Sequence, residues 1–314
     1  MTSSRPPAEL SPPVLVILGP TGVGKSSFAM KLARNFDGEI ISCDSMAVYR
    51  GLDIGTDKPS SADRLEIPHH LIDVAEPGTY FSAGAFRHKA LETIRSVYHR
   101  GRLSIIVGGT GLYARALLEG MIPAPPHELE KKKGPGHLHA LLRRLDPDSA
   151  GRLPAADTLR LIRALEVRIS TGKPLSQLIR EQPFGKRGLR NILKLGLTAE
   201  RRLLYNRVEA RVDRMLESGF HDEVRALLLK GVLRGPCSRA IGYAELSGFL
   251  QGEYSYEEAV HRIKQRTRQL AKRQLTWFRR EMDITWYRVD RPGWQEAARE
   301  QVKSWIDEAE KNES

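Results

Sequence analysis

The chain has 314 residues, which predicts two domains or one large domain with an insertion and suffices to bury a core without staples. Two cysteines, Cys43 and Cys237, exclude a disulfide framework; no apolar run approaches the length of a transmembrane helix, and the opening MTSSRPPAELSPP lacks the apolar core of a signal peptide, so a reduced, cytoplasmic, globular protein is expected. The net charge of +12 is unevenly placed, with 13 Lys/Arg against 12 Asp/Glu in residues 1–120 and 37 against 26 in residues 121–314, so the second half suits a polyanionic partner, nucleic acid first, or else presents a merely soluble basic surface.

Residues 1–13, rich in Ser and Pro, read as a disordered lead-in. Val14–Leu18 is a continuous apolar run, the pattern of a strand buried on both faces. Gly19-Pro20-Thr21-Gly22-Val23-Gly24-Lys25-Ser26 follows directly and fits G-x-x-x-x-G-K-[ST], with a helical pattern from Lys25 to about Asn35. The glycines let backbone N–H groups converge on phosphate oxygens, and the helix N-terminus adds partial positive charge. Lys25 brings a full charge to the terminal phosphate, and the Ser26 hydroxyl suits Mg2+. The expectation is a phosphate or pyrophosphate site.

Glu39–Cys43 reads as a second short strand, stopped by Asp44. Ligands of open parallel sheets bind at the carboxyl ends of strands, so Asp44 is expected beside the phosphate loop, where a carboxylate accepts a proton from a nucleophile. An Asp before Ser is also a common turn or helix cap, and both readings stand. Ser82 is expected to cap a helix through about Tyr98. Leu103–Val107 is another buried strand, ending in Gly108-Gly109-Thr110-Gly111. A nucleoside triphosphatase has an Asp for Mg2+ at such a strand end; the glycines instead allow close approach of backbone, which weakens a nucleotide-hydrolysing reading. Strands alternating with helices imply a parallel sheet covered by helices.

Residues 121–137, MIPAPPHELEKKKGPGH, read as a linker, and the pattern from His137 to about Glu181 is helical. Ile192–Leu197 is a further strand, followed by helices at about 199–217, 220–230, 240–250 and 255–281, a last strand at Ile284–Val289 and a last helix at 294–311. The expected fold class is α/β, a P-loop NTPase-like core with a central parallel sheet plus a small helical insertion domain. Residues 14–122 and 188–314 make the core and its C-terminal helices, and 123–187 the insertion.

Within 262–280, Arg262, Lys264, Arg266, Arg268, Lys272, Arg273, Arg279 and Arg280 stand without one acidic residue. Val260, Ile263, Leu270, Leu275, Trp277 and Phe278 recur at helical steps and anchor this helix to a core. With no i,i+4 acid to neutralise it, the stripe is expected to meet a phosphate backbone. A solvated face and a membrane-surface helix are the other readings, the latter disfavoured by charges spread around the helix.

The run from Asp44 to Pro59, DSMAVYRGLDIGTDKP, resembles the signature of the tRNA dimethylallyltransferases. So do GPTGVGKS (19–26), PHHLIDV (68–74), FSAGAFR (81–87), VGGTGLY (107–113), RALEV (163–167), SRAIGY (238–243) and RQLAKRQLTWFRR (268–280), in collinear order over roughly residues 14–290. The resemblance implies transfer of a dimethylallyl group from dimethylallyl diphosphate to N6 of adenosine 37, beside the tRNA anticodon. It implies a phosphate loop that holds the donor's diphosphate and not ATP, in keeping with the missing strand-end Asp. Gly19, Thr21, Gly22, Gly24, Lys25 and Ser26 are then the diphosphate site, with Mg2+ at Ser26. Asp44 is the general base, Thr110 lines the adenosine and donor site, and Arg211, on one helix face with Arg207 and Arg214, contacts the diphosphate. Contacts to the anticodon stem-loop fall on Asp44, Ser45, Met46 and Ala47, on Arg160 and Arg163, on Arg239, Gly242 and Tyr243, and on Lys272, Arg273, Gln274, Trp277 and Arg279.

Two departures stand out against this pattern. Leu159 replaces the Gln usual before the arginine at 160, and the short 121–150 stretch has no match for a further arginine among Glu128-Leu129-Glu130-Lys131. His69 and His70 belong to a shared motif but are read as structural. The expected form is a monomer with no membrane contact. The alternatives are an adenylate isopentenyltransferase acting on free AMP, ADP or ATP, which needs neither basic helix nor insertion, and a P-loop small-molecule kinase, which needs ATP and an arginine-rich lid. A non-catalytic RNA-binding protein, indifferent to Lys25 and Asp44, is the third.

Overall fold

The computed structural model describes residues 12–120, 135–181, 189, 191–281 and 283–313. The lead-in before residue 12 and most of the 121–137 linker, with the Glu128–Lys131 stretch, lie outside the described residues. Two compact units are formed, one from residues up to Arg115 and from Leu189 onward, the other from residues 116–188.

The first unit is built on six parallel strands: β1 (Val14–Leu18), β2 (Gly38–Cys43), β3 (His69–His70), β4 (Leu103–Gly108), β5 (Ile192–Thr198) and β6 (Thr285–Arg288), in the order β3-β2-β4-β1-β5-β6. Every residue of β1 is buried, the consequence of a central parallel strand covered on both faces. Gly108 of β4 stands opposite both Leu18 of β1 and Cys43 of β2, so these three neighbouring strands end level. The loops that follow them, beginning at Gly19, Gly109 and Asp44, therefore open side by side on one edge of the sheet, where open α/β sheets bind ligands.

Helix α1 (Lys25–Asn35) follows β1, and α2 (Ser61–Glu66), a short capped turn of helix, precedes β3. Helix α3 (Ala83–His99) starts at Ser82, whose hydroxyl accepts the Ala85 N–H at 3.1 Å, as the sequence predicts. Phe86, Ala90, Ile94 and Val97 form its buried stripe, and it packs on β2 and β4. Helix α4 (Gly111–Leu118) carries the chain toward the second unit. There α5 (Pro135–Leu145), α6 (Pro147–Arg152), α7 (Thr158–Thr171) and α8 (Leu175–Glu181) close on Leu138, Leu142, Ala150, Leu161, Ala164 and Leu165. The helical pattern expected at 137–181 is laid out as four helices, separated where Pro147, Pro154 and Pro174 withhold the amides a continuous helix needs. Buried Asp146 accepts from the Ser149 N–H and hydroxyl and from the Ser176 N–H at 2.9 Å, one carboxylate fixing the start of α6 against α8.

The chain returns through β5 to α9 (Arg201–Glu217), α10 (Phe220–Leu229), a 3-10 turn at Cys237–Arg239, α11 (Tyr243–Leu250), α12 (Tyr256–Phe278), β6 and α13 (Trp294–Glu313). The helix expected from 240 begins at Tyr243 instead, because the 3-10 turn and Gly242, at φ +90°, delay it. Alternate residues of the strands, among them Leu15, Ile17, Ile40, Ile105, Leu195 and Leu197, join Phe28 and Leu32 of α1 and Ala298 and Val302 of α13 in the larger core. Among the described residues no helix is long and apolar enough to cross a membrane.

His69 and His70 pair with Ile40 and Ile41 as the edge strand, and His70 Nε2 lies 2.6 Å from Glu39 Oε2. Burial raises the Glu39 carboxyl, but hydrogen bonds from Arg100 and His70 outweigh it and hold the group below its usual range. The pair is part of the scaffold.

Candidate active site

The loop after β1 is shaped by close approaches. Gly19 sits at φ +148°, and a Cβ there would lie 2.5 Å from the Leu197 carbonyl oxygen of β5, so no other residue fits. Gly22 and Gly24 also take positive φ, the latter opening α1 with no side-chain cap. The Thr21 N–H is taken by Gln274 Oε1 at 2.8 Å, while the uncapped α1 N-terminus is left to an outside acceptor. Lys25 reaches back over the loop, its Nζ donating to Pro20 O at 2.8 Å. Burial first, then the neighbouring charge of Arg211, push its ammonium down to about 7, against the opposing pull of Asp44. An anion held between Lys25 and Arg211 reverses that repulsion. Ser26 is exposed on the first turn of α1.

Arg211, from α9, donates through Nη1 to Thr21 Oγ1 at 2.7 Å and lies 3.3 Å through Nε from Asp57 Oδ2. Beyond β2, Asp44 Oδ1 accepts the Met46 N–H at 2.7 Å and the Ala47 N–H at 3.2 Å. The turn reading of Asp44 is therefore correct for one oxygen, while Oδ2 has no hydrogen-bond partner among the described residues. Between the two loops, Thr110 Oγ1 accepts the Ser45 N–H at 3.0 Å and fixes the carboxylate's loop to the end of β4.

These loops line a cavity of about 560 Å³. Of the residues singled out from the sequence, Thr21, Asp44, Ser45, Met46, Thr110, Arg211, Arg239, Tyr243, Arg273, Gln274 and Trp277 are on its wall. The phosphate-loop residues Gly19, Gly22, Gly24, Lys25 and Ser26 adjoin it through Thr21. Ala47 is buried, and Gly242 opens α11 with its N–H on Glu245 Oε2. Tyr243 is fully buried with its hydroxyl on Glu223 Oε1 at 2.6 Å; burial, then the Glu223 charge, raise its hydroxyl well above the usual range. Lys272 and Arg279 are exposed on the end of α12. Arg160 and Arg163 belong to α7 of the second unit, beside Asp157 and Glu166 respectively, and Leu159 is 77 % exposed there.

Gly55 and Thr56 of the 44–59 run, not among the expected site residues, also line the cavity, as do Arg266 of the basic stripe and Leu270, expected to anchor the helix to a core. The loop at 53–55 is held from α10: Glu223 accepts from the N–H groups of Asp53 at 3.1 Å, Ile54 at 2.7 Å and Gly55 at 3.3 Å. A partner so far along the chain leaves no local sequence signal.

The basic helix requires a correction. Its charges are not all unneutralised: Arg262 pairs with Glu258, Lys264 with Asp213, Arg266 with Glu245 and Arg268 with Glu209. Three of those acids come from α9 and α11, packed alongside. Lys272, Arg273, Arg279 and Arg280 are exposed and make no ion pair among the described residues. Free positive charge is therefore concentrated at the C-terminal end of α12 and just past it, where Arg273, Gln274 and Trp277 reach the cavity.

The family model described as IPP transferase matches residues 47–281, and one described as isopentenyl transferase matches residues 12–72. The chain is 45 % identical to a tRNA dimethylallyltransferase of Thermomicrobium roseum over 93 % of this chain and 91 % of the relative, and 47 % identical to one of Geobacter metallireducens over 89 % and 93 %. Among solved structures it is similar to the tRNA isopentenylpyrophosphate transferase of Bacillus halodurans, with 38 % identity, a TM-score of 0.70 and coverage of 96 % and 99 %. A eukaryotic dimethylallyltransferase acting on tRNA is 31 % identical with a TM-score of 0.81, over 88 % of this chain and 74 % of the other.

Proposed function

The chain belongs to the IPP transferase family and is a tRNA-modifying dimethylallyltransferase, and on that premise we propose that it moves a dimethylallyl group from dimethylallyl diphosphate to N6 of adenosine 37 in the anticodon loop. One observation carries the finer reading: the anion-seeking group of Lys25, Thr21 and Arg211 and the half-free carboxylate of Asp44 flank a single cavity, under the exposed charge of α12.

In this reading the donor's diphosphate lies on the loop amides, the α1 N-terminus, Lys25 and Arg211, and their charge stabilises it as the leaving group. The adenine must leave its stack to reach the cavity, and so it is flipped. As the allylic C–O bond breaks, positive charge develops on carbon and the N6 lone pair forms the new C–N bond. Asp44 Oδ2 orients the amine and takes its proton, and diphosphate departs. The walls of the cavity keep water from the developing cation. The Ser26 hydroxyl, exposed on the first turn of α1, would hold a Mg2+ ion beside the diphosphate. When bound, that ion adds charge neutralisation at the leaving group.

The free charge at the end of α12 makes structured RNA the acceptor in preference to a free nucleotide. The wild-type protein is expected to add C5H8 to an unmodified anticodon stem-loop and to leave AMP and ATP unchanged, as read by mass spectrometry. Product on AMP alone points to the adenylate-type activity instead. Lys272→Ala together with Arg273→Ala is expected to weaken stem-loop binding and to flatten the dependence of log K on log salt by about one per charge removed. An unchanged slope in a filter-binding titration removes this end of α12 from the RNA interface.

A further inference from the structure

Gln274 lies on the helix assigned to RNA, yet both of its hydrogen bonds go to the loops of the donor side. Its Oε1 accepts the Thr21 N–H at 2.8 Å, and its Nε2 donates to Gly109 O at 2.9 Å. The fit at Gly109 is close: a Cβ there would stand 2.2 Å from Gln274 Nε2. Each loop passes the constraint on. Thr21 is the residue that Arg211 holds, and Thr110, next to Gly109, holds the N–H of Ser45 beside Asp44. One uncharged amide thus joins the loops after β1 and β4 in the middle of the path from the arginine to the carboxylate. The position demands an acceptor toward one loop and a donor toward the other, which a carboxamide supplies and neither a carboxylate nor an ammonium does.

We propose that Gln274 is a positioning residue for the diphosphate site, acting on donor binding through Thr21 and Gly109 and not through contact with RNA. The proposal rests on the reading of the cavity given above. Gln274→Met keeps the length and removes both hydrogen bonds. Its KM for dimethylallyl diphosphate is expected to rise roughly tenfold, the size of two neutral hydrogen bonds, while stem-loop affinity stays at the wild-type value. Gln274→Glu is expected to be worse than Met, because its carboxylate opposes the Gly109 carbonyl and sets negative charge beside the diphosphate. A side chain that merely fills space gives no such order, since Glu and Gln have nearly the same shape. Gly109→Ala, which displaces the amide from the other side, is expected to raise the same KM and serves if the Met variant does not fold.

Lost stem-loop affinity with an unchanged donor KM in Gln274→Met overturns the proposal, as does a Glu variant equal to or better than Met. Failure of the underlying reading looks different: the wild-type enzyme itself then shows no saturable dependence on dimethylallyl diphosphate.

Discussion

Asp44→Asn is expected to lower kcat by about 10²–10⁴-fold, the usual contribution of a general base, while stem-loop affinity and thermal stability stay close to wild type. The choice of Asn follows from the two oxygens of Asp44. Oδ1 holds the 44–47 turn through the Met46 and Ala47 N–H groups, and an Asn carbonyl continues to accept both. The second atom becomes an NH2, which neither accepts a proton nor orients an amine lone pair. Asp44→Ala removes the base and the turn together, so it is expected to add a loss of stability that Asn does not show. Steady-state kinetics and a thermal melt separate the two. An Asn variant retaining turnover within about tenfold of wild type removes Asp44 from the proton transfer.

Lys25→Met is expected to cost about 10²–10³-fold in kcat/KM for the donor, comparable to removing one preorganised charge-stabilising group from a transition state. The Lys25 ammonium donates to Pro20 O and is pushed down to about 7 by burial and by Arg211. The Lys25 and Arg211 charges therefore oppose one another at the loop. Removing one relieves the conflict in the free protein, so thermal stability is expected to hold or rise even as activity falls. Stem-loop affinity is expected to be unchanged, because the Lys25 ammonium is turned onto Pro20 O within its own loop and is not one of the exposed charges at the end of α12. A change in kcat/KM below about tenfold contradicts a diphosphate on this loop.

The local parts of this molecule were legible and the non-local ones were not. The β1–loop–α1 unit follows from an apolar run, three glycines and a lysine within one short stretch, and α1 runs from Lys25 to Asn35 as read. Ser82 capping α3 is likewise a local event. The two-residue β3, the six-residue α2 and α4 escape because so few residues carry no period, and α4 follows directly on a glycine loop read as coil. The order of strands that brings Gly19, Gly109 and Asp44 to one edge is set by packing between distant segments. The same limit explains the basic helix. Residues 262–280 lack acids, but Glu258 of the helix's first turn takes up Arg262, and Glu209, Asp213 and Glu245 arrive from neighbouring helices and take up Arg268, Lys264 and Arg266. Glu223 and Gln274 do their work on loops far away in sequence, so residue type alone reveals neither role.

The central claim is that Asp44 and the phosphate loop together direct a dimethylallyl group onto one exocyclic amine. The most direct test gives the protein Mg2+, dimethylallyl diphosphate and two anticodon stem-loops, one with adenosine at position 37 and one with purine riboside there, which lacks only the amine. The RNA is then digested to nucleosides for mass spectrometry. The account predicts one C5H8 on the adenosine of position 37, with fragmentation placing it on the base, and no product from the purine riboside loop. Equal modification of both loops, or C5H8 on another nucleoside, contradicts it.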